Sequence, residues 1–236
     1  MTEPVVGVVC ALRSEARHLG RSVPRLGEVQ ALGPRRLRAV CGIGPAAAAA
    51  AASALIARGA TALASFGMAG ALDPGLQSGA IFLPRLVRGE TGAPLDTDPR
   101  WHGAAADALA GAAVALEGSL VSVAAPVTGC EAKARLGRDS GARAVDMESF
   151  AVARVAAAHA RPFLVLRVII DAADLAVPAA ALATTASGEV SVPGVLAGLA
   201  RRPRELGPLL RLARAYGRAG RGLAAVAASR ALEYPA

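Results

Sequence analysis

The sequence of 236 residues predicts a single α/β domain, a mixed central sheet flanked by helices. Three observations predict it. Short runs of Val, Leu and Ile alternate with alanine-rich stretches of helical length, which is the order of an α/β fold. Several runs are apolar at consecutive positions, as strands covered on both faces are. Glycine turns fall where a run ends, at Gly42-Ile43-Gly44-Pro45 and Phe66-Gly67-Met68-Ala69-Gly70. A globule of this length buries roughly 70% of its extended surface and needs neither disulfide nor metal to hold a core.

In order, Val5 to Ala11 reads as a strand and Ser14 to Gly20 as a short helix. Leu37 to Cys41 is the next strand. Pro45 to Arg58 is helical: proline fits a first turn, where its missing N–H costs nothing, and seven alanines follow with high helix propensity. Strands Ala62 to Phe66 and Ala80 to Val87 precede a helix from Pro99 to Gly111. Strand Ser119 to Ala124, helix Cys130 to Leu136, strand Ala142 to Asp146, helix Met147 to Ala158 and strand Phe163 to Ile170 complete the alternation. Ala172 to Pro193 lacks a period and reads as a loop over the sheet edge. A basic amphipathic segment occupies about 195–232. Its helix, Leu206 to Leu232, is expected to carry Arg211, Arg214, Arg218 and Arg221 on one face and Leu209, Ala213, Tyr216 and Leu223 on the other.

The formal charge is +8, from 26 basic and 18 acidic residues, and Lys133 is the only lysine. Arginine rises here together with Ala, Gly and Pro, as one base-composition pressure would raise them, so basicity alone leaves both nucleic acid and anionic membrane open as partners. The three cysteines, Cys10, Cys41 and Cys130, form no CxxC or Cys/His cluster, so neither a disulfide framework nor a zinc site is expected. The N-terminus has no basic leader and no uninterrupted apolar run of about 18 residues occurs, so a cytoplasmic, soluble chain is expected. His18, His102 and His159 are scattered without a nucleophile partner.

Chemistry concentrates at strand ends. The Gly42 and Gly44 turn opens a helix, where backbone N–H groups can face an anion; alone it has a structural reading as well. Glu148, in Val145-Asp146-Met147-Glu148-Ser149, stands at the carboxyl edge of the sheet, and its two oxygens can accept hydrogen bonds from adjacent hydroxyls, as in a sugar diol. An acid there also suits a helix dipole. Asp171 leaves an apolar strand, where desolvation favours a held proton and hence general-acid work, although an Asp ending a strand also serves turns.

These motifs in this order, Ala11-Leu12-Arg13-Ser14-Glu15, Gly42-Ile43-Gly44, Gly67-Met68-Ala69-Gly70 with Leu76-Gln77-Ser78-Gly79, Val145-Asp146-Met147-Glu148 and Arg167 to Asp174, resemble the nucleoside phosphorylase and methylthioadenosine/adenosylhomocysteine nucleosidase superfamily. Within it the sequence is most similar to hopanoid-associated phosphorylases, through Leu12-x-x-Glu15-Ala16-Arg17, Ser65-Phe66-Gly67-x-Ala69-Gly70-x-Leu72-Asp73-Pro74, Ala144 to Ser149 and the tail Leu199-Ala200-Arg201-Arg202-Pro203. Those proteins are associated with removing adenine from adenosylhopane.

The resemblance implies a nucleoside phosphorylase-like fold and cleavage of a purine N-glycosidic bond. It implies catalytic roles for Asp171, as the acid at purine N7, and for Glu15, which orients the attacking water. It implies substrate binding by Glu148 at the ribose hydroxyls and by Met147, Met68, Gly70 and Val127, with Pro126 and Thr128 beside the base. Gly42 and Gly44 are candidates for holding the nucleophile or an anion. No cofactor or metal is implied, phosphate being a candidate co-substrate. The products are adenine and ribosylhopane or its 1-phosphate; a soluble futalosine or methylthioadenosine nucleosidase and an inactive membrane- or nucleic-acid-binding module are the alternatives. The implied partners are a lipid-linked nucleoside, further copies of the chain in a homo-oligomer, and an anionic membrane touched peripherally through the arginine face; no nucleic acid is expected. The sequence departs from the family pattern at Met68 and Ser65, where a serine and, in phosphorylases, an arginine are usual, and at Ile170, where a small hydroxyl residue commonly orients the acid.

Overall fold

The computed structural model describes residues 3–177 and 206–235. Residues 178–193 of the expected loop from Ala172 to Pro193 lie outside the described residues, as do 195–205 of the basic segment. Strand β1 (Val6–Cys10) is followed by a single turn of helix, α1 (Arg13–Ala16), and a 3-10 turn at Arg17–Leu19, rather than the longer helix expected from Ser14 to Gly20. The order continues with β2 (Val29–Ala31), β3 (Arg36–Val40), α2 (Pro45–Ala57), β4 (Ala62–Ala71), β5 (Ile81–Phe82), β6 (Leu86–Arg88), β7 (Leu95–Asp96), α3 (Pro99–Ala108), β8 (Val114–Ala115) and β9 (Ser119–Ser122). It closes with α4 (Cys130–Ser140), β10 (Ala144–Asp146), α5 (Ser149–Ala158), β11 (Phe163–Asp171) and α6 (Leu206–Ala228).

The sheet is mixed, as expected. Strands β3, β1, β4 and β11 run parallel; β2, β5 and β10 pair antiparallel to β3, β11 and β4 respectively, and β9 and β6 extend the β10 side. One face buries Ala48, Ala51, Ala52 and Leu55 of α2 with Val152, Ala153 and Ala156 of α5. The other buries Trp101, Ala105 and Leu109 in and beside α3, with Ala219, Leu223 and Val226 of α6. Strand β11 lies between them, sending Leu164, Leu166 and Val168 to one cluster and Val165 and Ile169 to the other. That double burial produces its unbroken apolar run.

Two elements depart from expectation in ways that shape the site. The glycine-rich segment Phe66 to Gly70 is not a turn: β4 runs straight through it to Ala71, because β11 pairs along it from Leu63 to Gly70 and β10 takes up Gly70 and Ala71. Partners on both sides outweigh the local turn preference of two glycines. The run from Ala80 to Val87 is broken into β5 and β6 around Pro84, which cannot donate to a ladder. On α6 all four arginines are exposed, yet Tyr216 and Ala213 are exposed too and the buried stripe is Ala215, Ala219, Leu223 and Val226. Small side chains at that stripe let the helix lie close to β11.

Candidate active site

Four acids reach one cavity from three places in the fold. The cavity encloses about 260 Å³ and is lined by Glu15 from α1, Asp146 and Glu148 from the β10–α5 junction, Asp171 from the tip of β11, and the walls Leu12, Ile43, Met68, Gly70, Val127 and Met147. Among the candidate residues, Gly42 and Gly44 alone are not part of its wall; Ile43 between them is. Pro126 and Thr128 also line it, and no aromatic side chain of the described residues does.

Glu15 is buried and held by three backbone N–H groups. Leu12 and Ala11 donate to Oε2 at 2.9 and 3.1 Å, and Met68 donates to Oε1 at 2.9 Å. Burial pushes its pKa up, opposed by Arg167 and by those N–H donors. It can lie so close to β4 only because position 67 is glycine: a Cβ there would stand 2.5 Å from Oε1. Behind α1, the fully buried Arg38 donates to the carbonyls of Ala16 and Gly20, and also to Ser22 and Gln30, fixing the segment that presents Glu15.

Glu148 occupies the N-cap position of α5, but its carboxylate turns away from the helix and accepts from the Gly44 N–H at 2.9 Å. Gly44 adopts φ +107 and Gly42 φ +86, both costly for any side chain. The anion cradle expected there is spent internally, because Gly44 serves Glu148 and the Gly42 N–H donates to the Ala11 carbonyl. Burial, and then the neighbouring Asp146 carboxylate, raise the Glu148 pKa to about 7, against the pull of Arg167.

Under these acids lies a buried network that sequence reading missed. The Arg167 guanidinium donates to Asp146 from Nε at 2.9 Å and Nη2 at 2.7 Å, and to Ser65 and Ser149 at 2.8 and 3.0 Å. Ser122 and Ser149 donate to the same Asp146 carboxylate. Desolvation disfavours the guanidinium charge, but Asp146, Glu148 and Glu15 around it prevail and its pKa rises. Ser65, flagged in the sequence only as a departure, is a member of this network.

Asp171 is aimed by a bulge. Along β11 the register with β4 shifts between Ile169, opposite Ala69, and Asp171, opposite Gly70, so Ile170 is the extra residue. Such a bulge re-aims the side chain that follows it. Asp171 then forms an ion pair with Lys133 of α4, whose Nζ also donates to the carbonyls of Ala172 and Leu175 at 3.0 and 2.8 Å. Burial pushes the Asp171 pKa up and Lys133 pulls it down, with a net rise. The orienting contact that Ile170 cannot make comes from Lys133, whose signal in the sequence was its singularity among 25 arginines.

The model of the family described as the phosphorylase superfamily matches residues 7–191. The chain belongs to the phosphorylase superfamily. With that membership, four buried carboxylates around one cavity make it a nucleoside-cleaving enzyme. No curated protein matches the sequence. Among solved structures, futalosine hydrolase of Helicobacter pylori superposes with a TM-score of 0.68 at 18% identity over 94% of this chain and 97% of that one. The methylthioadenosine/adenosylhomocysteine nucleosidase of Neisseria meningitidis gives 0.65 at 21% identity over 94% and 97%. That of Helicobacter pylori gives 0.65 at 22% identity over 74% and 88%. At these identities the likeness concerns the fold. Among the described residues no helix is long and apolar enough to cross a membrane.

Proposed function

We propose that this enzyme removes adenine from an adenosine whose 5′ carbon carries an apolar group, with adenosylhopane as substrate, ribosylhopane as the other product and water as nucleophile. The observation that carries the reading is the arrival of Glu15, Glu148 and Asp171 at one cavity. Breaking the C1′–N9 bond puts positive charge on the ribose and negative charge on the base. A proton donor at the base and carboxylates beside the ribose are stronger partners for that transition state than for the ground state. Asp171 protonates N7, Glu148 accepts from the ribose hydroxyls, and Glu15 holds the attacking water and takes its proton.

Charge favours water over phosphate. Among the described residues the cavity wall carries four carboxylates and no Arg or Lys, and Arg167 beneath it is committed to Asp146. The Met68 and Gly44 N–H groups that would greet an anion already serve Glu15 and Glu148. A phosphate dianion would meet like charge at short range in a poorly screened site.

The 5′ preference rests on Leu12, Ile43 and Met68 in the wall, with Ile43 45% exposed. A volume of about 260 Å³ is below the usual range for a ligand site, about 300 Å³ upward, so a hopane skeleton has to remain outside while the nucleoside head enters. The arginine face supports delivery from an anionic bilayer: Arg211, Arg214 and Arg218 border a cleft with Ala172, Asp174 and Leu175, the segment that follows Asp171.

The test is adenine release from vesicle-borne adenosylhopane and from methylthioadenosine, each with and without phosphate. Release from the lipid without phosphate is expected. Release only with phosphate would make the product ribosylhopane 1-phosphate, and preference for methylthioadenosine would favour a soluble nucleosidase.

A further inference from the structure

Lys133 is 0% exposed and its charge is matched by Asp171 alone among the carboxylates of the described residues. A buried pair of this kind is neutral as ammonium and carboxylate, and equally neutral as amine and carboxylic acid. An acid-form Asp171 beside a still-charged Lys133 would instead leave an uncompensated cation in the interior, which is strongly unfavourable. The low-energy acid form of this site is therefore the one in which the proton has come from the lysine.

We propose that Lys133 is the positioning residue of the general acid and stores its proton, so that the buried Lys133–Asp171 pair, rather than the aspartate alone, delivers a proton to the purine. The inference rests on the reading of Asp171 as the acid. An Nζ–H bond of Lys133 breaks as the Asp171 O–H forms; as C1′–N9 breaks, its electron pair goes to the base and the Asp171 O–H bond breaks as N7–H forms, leaving amine and carboxylate. Glu15 takes a proton from the attacking water, that proton leaves to solvent, and solvent returns one to the Lys133 amine, which restores the ammonium–carboxylate pair. The Ala172 and Leu175 carbonyls hold the amine in place in both states.

Besides Asp171, the charged groups lining the cavity are Glu15 from α1 and Asp146 and Glu148 from the β10–α5 junction, with Arg167 of β11 beneath them; of all charges described, Lys133 from α4 is the one that acts on Asp171. Without it, a buried Asp171 can still take a proton from acidic solvent but loses it as pH rises. The readout is the ratio of adenine release to nitrophenolate release from 4-nitrophenyl riboside, whose leaving group needs no proton. At pH 8, Lys133→Met is expected to lower that ratio about 100-fold, within the range of general-acid assistance, and at pH 5.5 the deficit is expected to shrink below tenfold. Lys133→Arg is expected to lower it at both pH values, because a guanidinium keeps its proton and pins Asp171 as carboxylate. A ratio within threefold of the parent for Lys133→Met at pH 8, a deficit independent of pH, or parent-like ratios in Lys133→Arg would overturn the inference. If Asp171→Asn also keeps the parent ratio, the acid assignment itself falls; if Asp171→Asn loses it while Lys133→Met does not, only the role of Lys133 falls.

Discussion

Replacing Gly67 by alanine puts one methyl group against the two groups that define the nucleophile's side of the site. Its Cβ would stand 2.5 Å from Glu15 Oε1 and 2.8 Å from both Glu15 Cδ and Arg167 Nη1, where ordinary contact begins at 3.4 Å. Arg167 is pinned by Asp146, Ser65 and Ser149, so Glu15 has to give way. Retreat by about 1 Å stretches the 2.9 Å bond from the Met68 N–H and moves the carboxylate off the water, and a displacement of that size costs roughly 100-fold in rate. Overpacking costs about 1–3 kcal/mol of stability. Steady-state adenine release and thermal melting measure the two effects, and Gly103→Ala is the control, since nothing lies within 4 Å of a Cβ at that helical position. A Gly67→Ala protein that melts near the parent and keeps kcat/KM within threefold would refute this account of Glu15.

Asp171→Asn keeps shape but offers no carboxylic proton, and adenine release should fall roughly 10²- to 10⁴-fold. Glu15→Gln should abolish hydrolysis; full activity supported by phosphate in that variant would point to phosphorolysis. Glu148 titrates at about 7 when folded against an ordinary 4.5, so the folded state binds more protons between those values and its share of stability declines as pH rises through that window. The melting temperature should therefore fall from pH 5 to 7, less steeply in Glu148→Gln; an equal or steeper fall in the variant would contradict the raised pKa. Reversing Arg211, Arg214, Arg218 and Arg221 to Glu should slow cleavage of vesicle-borne adenosylhopane and spare a short 5′-alkyl adenosine, with equal losses on both indicating misfolding and no loss refuting membrane docking.

The chain order of strands and helices was legible because most elements announce themselves locally: consecutive apolar residues in β1 and β11, alanines after Pro45 in α2. Glu148 and Asp171 were legible as sites because an acid at the end of an apolar run is conspicuous; Glu15 emerged only through the family resemblance. What local reading missed depends on partners distant in the chain. The strand character of Gly67 to Gly70 comes from β11 and β10, and the bulge at Ile170 exists only relative to β4. Lys133 finds its acid 38 positions downstream and Arg38 its carbonyls 16 to 22 positions upstream, separations that no helical or strand period encodes. The apolar face of α6 was misjudged toward Tyr216, since close approach to β11 selects the smaller Ala215 and Ala219.

The charges of the site do not cancel. Glu15, Asp146, Glu148 and Asp171 are all buried, and among the described residues Arg167 and Lys133 are the buried cations that pair with them. Lys133 is paired with Asp171, and Arg167 is hydrogen-bonded to Asp146 while standing 4.0 Å from Glu148, which leaves Glu15 and Glu148 with N–H donors and only a shared, more distant counter-charge. Both have raised pKa values as a result, chiefly through burial. The less compensated negative charge therefore lies on the two carboxylates proposed to face the sugar, while the matched pair is the one proposed to protonate the base. A ribosyl cation forming between them supplies the positive charge that the protein itself does not. Stabilisation of that kind grows as the glycosidic bond breaks, which is the differential binding that lowers a barrier. The same imbalance disfavours an incoming phosphate, so the proposed preference for water and the proposed affinity for an oxocarbenium-like sugar have one source in the arrangement of charge.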